Sequence, residues 1–441
     1  MSQKKVTFSD VNIEDGTLNF VMSGSQEYGL DKSVVNAIRR VLLTEIPTVA
    51  FRVNPDGNPV DSDLIMVSNQ TSLHNEMMLH RVSMVPLYLK PETFMKNYLF
   101  ECKVKHDTAE PFRFVTMNDL SIYPLNVGLK QRLDDFNDES IETPRQEAKK
   151  LLAELSIVKL ENYDLTKPLK QSEKDEIFRP FVSDSEILGP KKNYSLLTEL
   201  KTSGSDDTHQ EIHFYGSPSV SIGQEHGRFQ PVSSATYSFT RDDDLMETTL
   251  RNRISAESVS EEDIEAFERK FVLSEGDRYF HRDNFNEPNT YNFSVKSTHY
   301  YSSEMLFKKS IAILVDKCQK MKQSFIHLLQ DKEHRAIDVE EKNDYLYHFT
   351  LYEQGHTMGN LIQSHIVRRS LGEDSILQLC GYKKPHPLLD KIVIHASMKP
   401  EHAADKLSAQ KLQMVSTFMI EQLDEISKEL NDLLASAEEV M

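Results

Sequence analysis

His74, Glu76 and His80 bring imidazoles and a carboxylate together over seven residues, a combination that in metalloproteases holds a catalytic ion. There the two histidines stand four apart on a helix, so both rings share a face and the glutamate serves as general base. A spacing of six puts the rings on different faces. His80 therefore reads as a structural histidine and His74 as a surface one. Other chemistry is also missing. The chain has no Gly-x-x-x-x-Gly-Lys phosphate loop, no Gly-x-Gly-x-x-Gly after a strand and no Gly-x-Ser-x-Gly elbow. Cys102, Cys318 and Cys380 are too scattered for a thiolate zinc cluster or a disulfide framework and point to a reducing compartment. No catalytic residue, cofactor or metal is expected.

Two places suit recognition better than catalysis. Arg39-Arg40 follows Asn36 on an amphipathic segment, and neighbours about 100° apart cannot both face its apolar stripe. They read as a solvated edge or as guanidinium clamps on carboxylates or carbonyls. In Tyr382-Lys383-Lys384-Pro385-His386-Pro387 two prolines impose a rigid extended turn, and His386 and His395 flank a strand. That turn is structural or a contact surface for another protein.

The elements that position these residues follow from periodicity. Val6, Phe8, Val11 and Ile13, then Leu18 and Phe20 across Asp15-Gly16, predict a hairpin. Asp31 caps a helix carrying Val34, Ile38, Val41, Leu42 and Glu45, stopped by Pro47, and a strand follows at Thr48 to Val53. The turn-rich run from Asn54 to Pro59 marks the departure into an inserted α+β module over 54–225, with a helix at Pro144 to Val158 and mostly loop from Tyr163 to Pro190. Its 131–190 stretch has 14 acidic and 9 basic residues, and 241–290 has 14 and 7, with a surface helix at Glu261 to Phe271.

Phe307, Ile311, Leu314, Cys318, Met321, Phe325 and Leu328 form a heptad seam on one long helix, and Leu412, Val415, Met419, Leu423, Ile426, Leu430 and Leu433 form a second. Between them, Asp331 to Asp344 is polar and reads as a connector. A strand at Tyr345 to Tyr352, a helix at about Thr357 to Arg369 and strands near Ile376 to Leu379 and Lys391 to Ala396 complete the second part. Strand, helix, strands and long helix thus occur twice, which hints at two related units.

Composition narrows the function. Asp and Glu outnumber Lys and Arg by 69 to 51, for a formal charge of −18 on 441 residues, which argues against a nucleic-acid binder. The most basic stretch, 345–400, nets only +2. No apolar run approaches the roughly 18 residues of a membrane span, and no leader is expected at Met1 to Lys5.

The segment from Asn36-Ala37-Ile38-Arg39-Arg40-Val41-Leu42 through Glu45-Ile46-Pro47 resembles the first-helix signature of the alpha-like, third-largest subunit of multisubunit DNA-directed RNA polymerases. Similar matches run through Asn69 to Leu73 and Glu76, His80-Arg81 to Leu87, and Gly223-Gln224-Glu225-His226-Gly227-Arg228-Phe229-Gln230-Pro231-Val232. The last third is similar to the smaller, eleventh-subunit-like partner through His356-Thr357-Met358-Gly359-Asn360-Leu361 and Gly381 to Leu388. Ile362-Gln363 departs from the Leu-Arg that usually follows. Unmatched are roughly 101–194 and 241–290.

The resemblance implies an α+β fold of two alpha-like dimerisation domains paired as an intramolecular pseudo-heterodimer, with long C-terminal helices. The first domain, 1–53 and 226–330, is interrupted by the insertion at 54–225; 331–344 connects to the second at 345–441. The implied function is a non-catalytic platform that nucleates binding of the two large catalytic polymerase subunits, with small subunits as further partners and little nucleic-acid contact. Implied interface positions are Asn36, Arg39, Arg40, Glu45, His80, Arg81, Glu225, His226, His356, Thr357, Asn360, Tyr382, Lys383 and His386. The family's larger partner often has a cysteine cluster in the insertion; only Cys102 stands there, so no metal is carried over. Both partners on one chain looks like the fusion found in some large DNA viruses, implying a cytoplasmic factory or virion, with the nucleus left open. A metal-dependent hydrolase and a nucleic-acid-binding protein are the alternatives.

Overall fold

The structure is a computed structural model; it describes all residues except 1–5, 28, 55–61, 95, 107–109, 137–157, 185–188, 203–208, 331–335 and 405. The chain forms two compact units. One comprises Met1–Ile46, Val232–Ser297 and Ser302–Met441; the other comprises Pro47–Pro231 and Thr298–Tyr301. Among the described residues no helix is long and apolar enough to cross a membrane.

The first unit builds one construction twice. Strands Val6–Glu14 and Thr17–Gly24 close a hairpin at Asp15 and Gly16, both at positive φ, as a two-residue turn between twisted strands requires. Helix Lys32–Thr44 follows, its first turn held by Asp31, which accepts from the Ser33 amide at 2.9 Å. Strands Val232–Phe239 and Thr290–Ser297 then join the hairpin, and helix Ser303–Leu329 closes the half. The second half repeats it with strands Ile337–Asn343 and Leu346–Tyr352, helix His356–His365, strands Leu377–Lys383 and Lys391–Met398, and helix Ser408–Val440. Both antiparallel sheets order their strands first, second, fourth, third. The shared topology gives the two-unit reading a structural basis.

Alternation along the strands decides which face each sheet buries. Phe20, fully inside the first half, meets Phe293 at 5.4 Å and Phe307 of the long helix at 4.9 Å between ring centroids. In the second half Tyr347, Phe349 and Leu351 face inward opposite Ile392, Ile394 and Ala396. The two long helices pack on each other more extensively than any other pair of elements. Phe307, Ile311, Leu314, Cys318, Met321 and Phe325 are buried on one; Val415, Met419, Leu423, Ile426, Leu430 and Leu433 are buried on the other. Each large apolar side chain removed from water contributes about 1.5–3 kcal/mol. Phe325 also reaches Phe349 of the other half at 5.4 Å, so the halves share a core.

The second unit centres on an antiparallel sheet of Leu64–Asn69, Glu211–Gly216, Tyr98–Lys105 and Leu120–Pro124. Phe51, Phe100, Phe178 and Phe214 fill its core with Met78 and Val82 of helix Asn75–Ser83.

Several expectations need correction. The supposed connector contains strand Ile337–Asn343, the outermost of the second sheet. Only Ile337 is buried there, because an edge strand flanked by solvent has no apolar alternation to read. The first segment of the first compact unit ends at Ile46, not 53: Pro47–Ala50 pairs with Ser219–Ile222, and Phe51 packs on Phe100 at 5.2 Å. His226 accordingly lies in the second unit. The 163–190 stretch holds an eight-residue helix, Gln171–Phe178, anchored by Ile177 and Phe178 at its end. The acidic 241–290 segment holds two helices, Asp243–Ala256 and Ile264–Glu275; the first buries only Leu250, too little for an apolar stripe. The turn at 55–59 and nearly all of the helix expected from Pro144 to Val158 lie outside the described residues, as does 331–335 of the connector.

Candidate subunit interface

Helix Lys32–Thr44 and helix His356–His365 meet within the first unit. Arg40 Nε donates to Thr357 Oγ1 at 2.8 Å, although the Arg40 side chain is otherwise exposed. Arg39 turns back on its own helix, donating from Nε and Nη2 to Asn36 Oδ1 at 3.1 and 2.9 Å. The adjacent arginines therefore diverge, as their 100° separation demands. Glu45, which terminates the helix, pairs with Lys317 of the first long helix at 2.5 Å. In the second half, Tyr382 lies flat enough on the helix that a Cβ at Gly359 would come 2.5 Å from its ring. His356 Nδ1 is 3.3 Å from the Tyr382 hydroxyl. Burial raises the Tyr382 pKa, with nearby Arg40 opposing. Asn360 is half-buried beside Gly359.

Beyond Tyr382 the chain turns outward. Lys383 is exposed, and His386 shapes the turn by accepting at Nδ1 from the Leu388 amide at 3.2 Å. The tip presents Leu388 and Leu389, 88% and 46% exposed. Pro385 and Pro387 restrict the backbone of this turn.

A second cluster forms in the other unit. Glu225 takes a two-pronged contact from Arg52, Nε to Oε1 at 2.6 Å and Nη2 to Oε2 at 2.9 Å, with the Ser221 hydroxyl donating as well. The Arg52 contact comes first among the causes that lower its pKa. His226 Nδ1 accepts from the Arg228 amide and Nε at 3.2 and 3.1 Å, while Arg228 Nη1 holds the Phe51 carbonyl at 3.0 Å. Burial and then the Arg228 charge lower the His226 pKa. The exposed His80 ring stands edge-on to His226 at 6.1 Å, so His80 is a surface group rather than a structural one. Arg81 points elsewhere, to the Leu196 carbonyl at 3.1 Å.

Structure thus groups Asn36 with Arg39, Arg40 with Thr357, His356 with Tyr382, and His80 with Glu225 and His226. Sequence reasoning passed over Arg52, Arg228 and Lys317. Arg228 was inside a recognised segment, but nothing in sequence marks a long-range partner such as Lys317. Among the described residues no three His, Cys, Asp or Glu side chains are placed to hold a metal, and burial pushes the thiols of Cys102, Cys318 and Cys380 up to about 12.

Two stretches, residues 26–318 and 347–434, match the RNA polymerase Rpb3/Rpb11 dimerisation domain. The chain belongs to that family, and it carries both alpha-like domains on one polypeptide. It is similar to the DNA-directed RNA polymerases I and III subunit RPAC1 of Homo sapiens, 22% identical over 339 residues that cover 72% of this chain and 84% of the relative. The Bos taurus counterpart is 23% identical over the same length and coverage. That of Dictyostelium discoideum is 30% identical over 82 residues, 19% of this chain and 20% of the relative. The class is an alpha-like RNA polymerase subunit.

Proposed function

We propose that the chain is the assembly platform of a DNA-dependent RNA polymerase and is not itself catalytic. The observation that carries this reading is the shared core of its two halves, built on the paired helices Ser303–Leu329 and Ser408–Val440. Two separate subunits must find one another; halves on one chain meet at an effective concentration of order millimolar. The paired unit then offers its exposed edges to the two large catalytic subunits and to small subunits. We assign Leu388, His386 and Lys383 to that contact, with Arg39 nearby and His80, Arg81, Glu225 and His226 as a contact on the second unit. Arg40 with Thr357 serves the internal pairing, while Glu45 and Tyr382 each brace their own half. The excess of acidic over basic residues supports little direct contact with nucleic acid. On the fused arrangement we assign its work to the cytoplasm, in a viral factory or virion if its source is viral, with the nucleus left open.

Affinity purification of the tagged chain from its native source, followed by mass spectrometry, tests this. Two large polymerase subunits are expected in stoichiometric amounts, and Leu388→Asp with His386→Ala should lose them while melting near wild type. Recovery of wild-type chain without any large subunit overturns the proposal.

A further inference from the structure

On the outward face of the second sheet, His348 and His395 sit directly opposite one another on the central strands Leu346–Tyr352 and Lys391–Met398. His395 Nδ1 lies 2.7 Å from His348 Nε2, with the rings edge-on and their centroids 4.1 Å apart. Their strand neighbours Tyr347, Phe349, Ile394 and Ala396 point into the core, so the register holds both imidazoles on the side away from it. Gly381 faces His395 across the next strand and offers no side chain to cover its ring. Glu340 faces His348 on the other side but is engaged by Lys342. Both rings are half-buried.

We propose that this pair is a two-imidazole site for a divalent transition-metal ion, Ni²⁺ or Cu²⁺, that staples the two central strands of the second half. The separation argues for the geometry. Two nitrogens about 2.0 Å from an ion and 90° apart stand about 2.8 Å from each other, as at adjacent square-planar or octahedral positions, whereas tetrahedral zinc separates them by about 3.3 Å. The observed 2.7 Å matches the first. Binding needs no net proton loss from two neutral rings. The proton shared between the facing nitrogens leaves, and the same ring takes one up at its far nitrogen, so both facing lone pairs reach the ion. Among the described residues no third ligand completes a protein cage, so water fills the remaining positions.

The test uses the full chain, untagged and freed of metal by chelation. Calorimetric titration with Ni²⁺ should show one equivalent bound at least tenfold more tightly by wild type than by the His348→Ala/His395→Ala double variant. With Cu²⁺, electron paramagnetic resonance should count two imidazole nitrogens in wild type and one in each single variant. Circular dichroism without metal checks that the variants fold, and His348→Gln with His395→Gln replaces any that do not. Equal affinity for wild type and double variant overturns the site, as does a two-nitrogen signal that survives either single change. Tighter binding of Zn²⁺ than of Ni²⁺ overturns the geometry.

Discussion

Arg368 and Asp283 show how much one residue pair can carry between the halves. Arg368 Nη2 donates to Asp283 Oδ2 at 2.6 Å, and the aspartate side chain has no exposed surface. Its other oxygen accepts from the amides of Phe285 and Glu287 at 2.9 and 3.0 Å. The carboxylate therefore organises a loop of the first half while held by an arginine of the second. Gly29, at φ +68°, passes so close that a Cβ would come 2.3 Å from Asp283 Oδ2. Removing one member of a buried pair leaves the other charge uncompensated, which costs about 3 kcal/mol, whereas an exposed i,i+4 pair is worth roughly 0.5 kcal/mol. Arg368→Met should lower unfolding stability in urea by the larger amount. Arg251→Met, which breaks the exposed pair with Glu247, should change it by the smaller. Equal effects would show that the buried pair does not hold the halves.

At the level of elements, helix His356–His365 depends on one missing side chain. Gly359 faces the Tyr382 ring at distances that a methyl group cannot occupy, 2.5 to 2.9 Å to three ring atoms. Alanine favours a helix over glycine by about 1 kcal/mol, but forcing this contact costs about 1–3 kcal/mol and displaces the ring from His356. The clash should win, so Gly359→Ala is expected to destabilise modestly. Gly372→Ala, with nothing within 4 Å of its Cβ, is the control and should be near neutral. Chemical denaturation of both variants checks the difference. A stabilised Gly359→Ala would mean that Tyr382 moves aside freely and does not brace the helix.

For the whole molecule, the question is whether covalent continuity or contact holds the halves together. The buried seams, the shared Phe325 and Phe349 core, and the Lys322–Asp424 ion pair at 2.8 Å all cross between them. A protease site inserted between Gln330 and Ile337 should yield two fragments that co-elute on size exclusion at micromolar concentration. The tether contributes concentration, while the contacts supply the binding. The same insertion inside Ile337–Asn343 should perturb the second sheet, because those residues are a strand. Separation of the fragments without denaturant would argue that the seams serve other subunits.

The hairpin at Asp15-Gly16, the Asp31 cap and both heptad seams were legible because each depends on residues within a few turns of one another: φ-permissive turn residues, a capping carboxylate, or apolar side chains at helical spacing. The repeated order of elements was legible for the same reason. Strand Ile337–Asn343 was not, since an exposed edge strand needs only its neighbour's backbone and leaves no pattern in its side chains. Nor were the partners of the candidate site residues. That Arg40 would reach Thr357, Glu45 would reach Lys317 and His348 would meet His395 depends on register and crossing of elements far apart in the chain. Local propensity chose the elements; burial of two apolar seams against each other decided which of their polar edges meet and which remain free for a partner.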